Sequence, residues 1–149
     1  MARNHQKSVA FRITAATHVY RARMGTMLAE IGLHAGQEGV LKALAEQDGQ
    51  SMSEIAEALG VQPPTVTKMV GRLSSKGYVE RRESNQDGRR ENVFLTESST
   101  DALTKIHRML KRMDRKALAG INTKDQKKLG RMLRRMSRNL GTDKPGAAI

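Results

Sequence analysis

The sequence predicts a mainly α chain, α+β overall, with about six helices and one small β-hairpin. Three observations predict it. Long stretches at both ends repeat apolar residues three and four apart, the period of a helix with one buried face. In the middle, two short stretches with that period are separated only by Gly60, Val61 and Gln62. After them two β-type runs, Tyr78 to Arg82 and Glu91 to Thr96, flank the turn-rich tract at 84–88. Helix, tight turn, helix and hairpin together describe a winged helix, whose second helix enters a DNA major groove.

Each element has its own local warrant. From about Ser8 to Glu30 the helical stripe is Ile13, Ala16, Tyr20, Met24, Met27 and Leu28, running on to Ile31. So long a helix has little neighbouring chain to bury its face, which suggests a partner subunit. Leu33 to Gln37 opens the next helix, with His34 expected as its cap and Gln37 completing the box three residues on. Val40, Leu41 and Leu44 face its core, and Asp48-Gly49 is expected as a turn. Ser51 and Glu54 form a capping box for a short helix bearing Ile55, Ala56 and Leu59, stopped by Gly60.

The helix after that turn carries the function. Pro63 and Pro64 suit a first helical turn, where the amides they lack would have no partner. Val66, Met69, Val70 and Leu73 make one apolar face, Thr65, Lys68 and Arg72 lie on the other, and Gly77 is the expected left-handed stop. Hydroxyls and cations on the free face of a half-buried helix suit a polar, anionic surface. Beyond the hairpin, Ser98 to Ala119 repeats Leu103, Ile106, Leu110, Met113 and Ala117, and Gly120-Ile121-Asn122 breaks the pattern. Thr123 to Gln126 is expected as the capping box of a last helix striped by Leu129, Met132, Leu133, Met136 and Leu140. The expected organisation is a helical dimerisation region at 8–32 and 98–140 around a DNA-binding module at 33–97, with flexible termini at 1–7 and 141–149.

Composition narrows the function classes. The formal charge is +12 over 149 residues, which suits a polyanionic partner. The excess lies outside the reading module: residues 1–35 carry +4, residues 36–100 carry −2, and residues 101–140 carry +10. With no cysteine there is no disulfide and no thiol chemistry. Four histidines without an i, i+4 pair give no expectation of a metal site. Neither GxxxxGKS/T, HExxH nor GxGxxG occurs, so neither an enzyme nor a cofactor is expected. No apolar run approaches the roughly 18 residues of a membrane span, and the first ten residues lack a signal-peptide core, so the expected location is cytoplasmic, with no membrane partner. The nine methionines fall mostly at helical core spacing and read as packing.

The opening Leu33 to Gln37, then EIAEALGV, PPTVTKMVGRL, KGYVERR and DGRRENVFLT, in that order and spacing, resembles the MarR-type (multiple antibiotic resistance) transcriptional regulators over roughly residues 30–140. The resemblance implies a homodimer with interleaved terminal helices, a sequence-specific repressor on a pseudo-palindromic operator in double-stranded DNA. A non-specific architectural DNA-binding protein is the alternative that the charge supports. Expected DNA contacts are Gln62, Pro63, Thr65, Thr67, Lys68 and Arg72 on the second helix, and Arg81, Asp87, Arg89 and Arg90 on the hairpin. By resemblance Arg89 enters the minor groove and Asp87 orients it, while Gln62 stands where the family commonly has Ser. Family members often bind small aromatic acids between the dimer helices and the reading module. Tyr20, Met24, Met27 and His34 are the candidate lining for such a small aromatic or anionic effector, and are equally ordinary core positions. The operator, the regulated genes and the effector are not written in the sequence.

Without a thiolate, the chain has no cysteine to oxidise. Peroxide at levels that oxidise thiols should therefore leave DNA binding unchanged in a mobility-shift assay. Loss of binding restored by a methionine sulfoxide reductase would instead make the methionines a sensor.

Overall fold

A computed structural model describes residues 8–83 and 91–141. Its elements are α1 (Val9–Glu30), α2 (Gln37–Glu46), β1 (Gln50–Ser51), α3 (Met52–Leu59), α4 (Pro63–Ser75), β2 (Val79–Glu83), β3 (Glu91–Leu95), α5 (Ser99–Ala117) and α6 (Thr123–Asn139). The six helices and the antiparallel β2–β3 hairpin are those the sequence predicts. The sheet has one strand more, because β1 pairs antiparallel with β3 to give the order β1-β3-β2. Two residues are too few to show alternation, so only the tertiary structure reveals β1. Its Gln50 is buried and donates from Nε2 to the carbonyls of Ala43 and Gln47, at 2.8 and 2.7 Å. That side chain ties the end of α2 to the sheet.

One apolar core joins α2, α3, α4, the sheet, α5 from Ala102 to Met113 and the last turn of α1. Leu28, Val40, Leu41, Leu44, Ile55, Val66, Val70, Leu73 and Val93 have no exposed surface at all. The helices around it are delimited by the local signals. Ser51 and Glu54 form the full capping box of α3, and Gly60 ends that helix at φ 66°. At the end of α4 the Tyr78 amide donates to the Leu73 carbonyl (3.0 Å) and the Gly77 amide to that of Ser74 (2.9 Å), with Gly77 at φ 73°. The Gly77 carbonyl then accepts from the hydroxyls of Thr96 and Ser98, which fastens the exit of α4 to the entry of α5.

Two helix starts differ from expectation. The N-cap of α2 is Gly36, left-handed at φ 90°, and His34 provides no side-chain cap. Half of the box survives, because Gln37 Oε1 accepts from the His34 amide at 2.9 Å. A Cβ on Gly36 would stand 2.3 Å from Met69 Cε, so the glycine makes room for α4 to approach. For α6 the cap is Asn122 rather than Thr123: its Oδ1 accepts from the Asp125 amide at 3.0 Å, while Gln126 Nε2 donates to the Ile121 carbonyl at 2.7 Å. Asn is the stronger cap of the two, and it takes the position one residue earlier.

The terminal helices are only half closed. Of the α1 stripe only Met27 and Leu28 are buried, and Val9 and Val19 are 66% and 67% exposed. Helix α6 buries none of its residues, leaving Leu129, Met132, Leu133 and Leu140 at the surface.

In the first turn of α2, Glu38 Oε2 is buried with no hydrogen-bond partner among the described residues. Burial pushes this carboxyl above the usual glutamate range, against the opposing pull of the Glu38 and Gly36 backbone and of Lys42. A raised folded value favours folding with the proton on. That contribution is present below the unfolded value and is lost as pH rises through the folded one. Glu38→Gln should therefore raise Tm by a few degrees at neutral pH, with the gain disappearing as pH falls below about 4. A Tm difference that is flat in pH would show that burial of the charge costs nothing here.

Candidate nucleic-acid interface

The geometry of α4 follows from what it buries. Val66, Val70 and Leu73 are wholly enclosed, and Met69 is half-buried against Gly36. The turn that follows α3 delivers α4 with Gln62, Pro63, Pro64, Thr65, Thr67, Lys68 and Arg72 exposed. Helix starts usually attract anions through free amides. Here Pro63 and Pro64 lack theirs and the Thr65 amide donates to the Gln62 carbonyl at 3.0 Å, so side chains must supply most of the attraction. The Gln62 side chain does not cap the helix, and its amide and carbonyl have no partner among the described residues.

Thr65 and Thr67 are not equivalent. Thr67 Oγ1 donates to the Pro63 carbonyl at 3.1 Å and so retains only acceptor capacity outward. Thr65 has no such bond, and its hydroxyl can both donate and accept. Lys68 and Arg72 have no acidic partner among the described residues. They border a concavity of about 320 Å³ shared with His34, Gln37 and Thr65. At its base Gln37, 1% exposed, has an Nε2 without a partner among the described residues.

The hairpin arginines are engaged within the fold. Arg81 pairs with Glu91 at 3.6 Å, two exposed side chains whose attraction is weak in water, and its guanidinium reaches toward Gly71 of α4. Arg82 pairs with Glu80 and lies over the Phe94 ring at 4.6 Å. Lys76 donates to the Gly32 carbonyl and ties the end of α4 to the turn after α1. Asp87, Arg89 and Arg90 lie outside the described residues.

The four candidate effector residues separate. Tyr20 and Met24 line a cavity of about 740 Å³ between α1, the start of α2, the end of α5 and α6. Met27 is 3% exposed inside the core, and His34 borders the concavity beside α4 instead. Ala35, Glu38, Asp114, Leu129 and Leu133 are among the other residues that line it. Burial, and next the charge of Asp114, push the Tyr20 hydroxyl above its ordinary range. Glu38 and Asp114 were not singled out from sequence, since only the meeting of α1, α2 and α5 gives them this place. Among the described residues no three His, Asp or Glu side chains gather as metal ligands, and no helix is long and apolar enough to cross a membrane.

Comparison with known proteins agrees with this architecture. The MarR family model matches residues 34–90. The HTH-type transcriptional repressor IacR of Pseudomonas putida is 28% identical over 123 residues, 83% of this chain and 74% of IacR. The S. aureus MepR–DNA complex shares the fold with a TM-score of 0.79 at 22% identity, over 89% of this chain and 98% of MepR. BpsR of Bordetella bronchiseptica, whose DNA binding is regulated by 6-hydroxynicotinic acid, shares it with a TM-score of 0.80 at 21% identity, over 89% of this chain and 94% of BpsR. Residues 34–90 thus carry the domain of the MarR family of transcriptional regulators, and the fold is shared with MepR and BpsR.

Proposed function

We propose that the protein is a cytoplasmic, dimeric, sequence-specific repressor that reads the DNA major groove with α4. The observation that carries this reading is the division of α4 into two faces: Thr65, Lys68 and Arg72 exposed, Val66, Val70 and Leu73 wholly buried behind them. A helix pinned by its back presents its front side chains in fixed positions, as base-edge readout requires. Thr65 and Gln62 are assigned to base edges, Lys68 to a base edge or a nearby phosphate, and Arg72 to the backbone at the far end. Arg81 is assigned a supporting role, joining β2 to β3 through Glu91 with its guanidinium beside Gly71 of α4.

Dimerisation is proposed from the apolar faces of α1 and α6 that the chain itself leaves uncovered. A second copy on those faces relates two α4 helices by a two-fold axis, so the operator is an inverted repeat with half-sites about one helical turn apart. The name of IacR and the DNA complex of MepR support repression by DNA binding. For an effector, the mostly apolar cavity beside Tyr20 suits a small aromatic body, and BpsR supports regulation by a small ring compound. Closing a ligand between α1 and α2 would change the angle at which the module meets the dimer helices.

The charge excess outside the module favours a second reading, a non-specific architectural binder. Selection of bound sites from a pool of random duplexes separates the two. Enrichment of an inverted repeat is expected, and a pool that stays random after selection would favour the architectural protein. On the selected site, Lys68→Ala should weaken binding by about 1–3 kcal/mol, roughly 5- to 150-fold, with Tm unchanged because the side chain is on a free surface. Undiminished affinity of that variant would remove α4 from the interface.

A further inference from the structure

Among the described residues, the largest group of exposed cations without an acidic partner lies on α6, at Lys124, Lys127, Lys128, Arg131, Arg134 and Arg135. We propose that the outward basic face of α6 holds the phosphates of a second DNA duplex, so that one dimer bridges two DNA segments. This rests on the reading of α4 as the operator-contacting helix. Residues 101–140 carry +10 while the reading module carries −2, so most sequence-independent attraction to DNA is located off the module.

The placement of those cations is ordered. At helical spacing Lys124, Lys127, Lys128, Arg131, Arg134 and Arg135 fall on the side of α6 opposite Leu129, Leu133 and Met136. All six are exposed, and among the described residues none has an acidic partner. On α5 two of the six cations are paired, Lys105 with Asp101 and Arg112 with Glu30. Leu129 and Leu133 turn toward α1 across the cavity, so a second copy covering the apolar side leaves the cations outside.

Scale also fits. From Lys124 to Arg135 a helix advances roughly 16 Å. Over that length a duplex presents about ten phosphate charges. Cations three and four apart on α6 repel one another, and phosphates set against them relieve that repulsion. The two surfaces belong to different parts of the fold: Lys76 fastens the end of α4 at Gly32, just past the C-terminal end of α1, whereas Leu129 and Leu133 of α6 line the cavity along α1.

The test uses the full chain and the selected site. A bead-tethered duplex carrying that site is loaded with protein, washed, and offered a fluorescent duplex of random sequence. Wild-type protein should capture the second duplex, and capture should fall steeply with added salt. Lys128→Gln/Arg131→Gln/Arg135→Gln should lose capture about tenfold or more while holding the tethered site as before. With three phosphate contacts removed, its log–log salt dependence on random duplex should be shallower by about 3 per protomer. The charge-conserving Lys128→Arg/Arg131→Lys/Arg135→Lys should retain capture, which separates lost charge from lost folding. Loaded wild-type protein that captures nothing, equal capture by the glutamine variant, or displacement of the duplex by less single-stranded RNA of equal length would each overturn the proposal. A separate arm protects it from failure of the operator reading. Lys68→Ala/Arg72→Ala should still bind random duplex in a mobility shift, and should lose that binding when the glutamines are added. If this combined variant still binds, α6 is not the second surface, whatever α4 does.

Discussion

Val66, Val70 and Leu73 are wholly buried, and this seam fixes the rotation of α4 about its own axis. Each is worth about 1.5–3 kcal/mol relative to exposure. A turn of one residue would bring Thr67 or a neighbouring cation into the core and expose a Val or Leu, so the alternatives are strongly disfavoured. The rest of the module serves the seam. Gly36 admits Met69, the capping box of α3 sets where the preceding helix begins, and the Gly77 carbonyl is held by Thr96 and Ser98. Direction on the free face is therefore a consequence of packing on the hidden one, and the polar side chains of α4 need no bonds among themselves to be aimed.

The terminal helices follow a different logic. They are long and amphipathic, yet their own chain covers little of their apolar side. In the proposed dimer a second copy supplies the missing surface, and it thereby sets the distance between two reading helices. Charge is divided along the same line. The module that is proposed to discriminate sequence carries −2, and the helices that are proposed to join two copies carry the excess. Net attraction and sequence reading are thus separable by mutation, which is unusual leverage for dissecting a DNA-binding protein.

Local signals made much of this legible in the sequence. The box at Ser51 and Glu54, the stops at Gly60 and Gly77, and the two faces of α4 are each written within a few residues, and the structure has them there. Misplacements arose where a neighbour in space decided. His34 does not cap α2, because the left-handed Gly36 starts that helix where Met69 comes close. Asn122 takes the cap expected of Thr123. Strand β1 exists only by pairing with β3, and Met27 and His34 part from Tyr20 because three helices meet around the cavity at angles no periodicity encodes. The Glu38 oxygen that lacks a partner among the described residues was equally invisible, since burial of one carboxylate atom depends on all its neighbours.

Coupling of the fold to a second copy is measured most directly by thermal unfolding as a function of protein concentration, with the mass in solution determined alongside. If the uncovered faces of α1 and α6 close only in a dimer, Tm rises steadily over about a hundredfold increase in concentration and the mass is that of two chains. A Tm independent of concentration, at the mass of one chain, would contradict it.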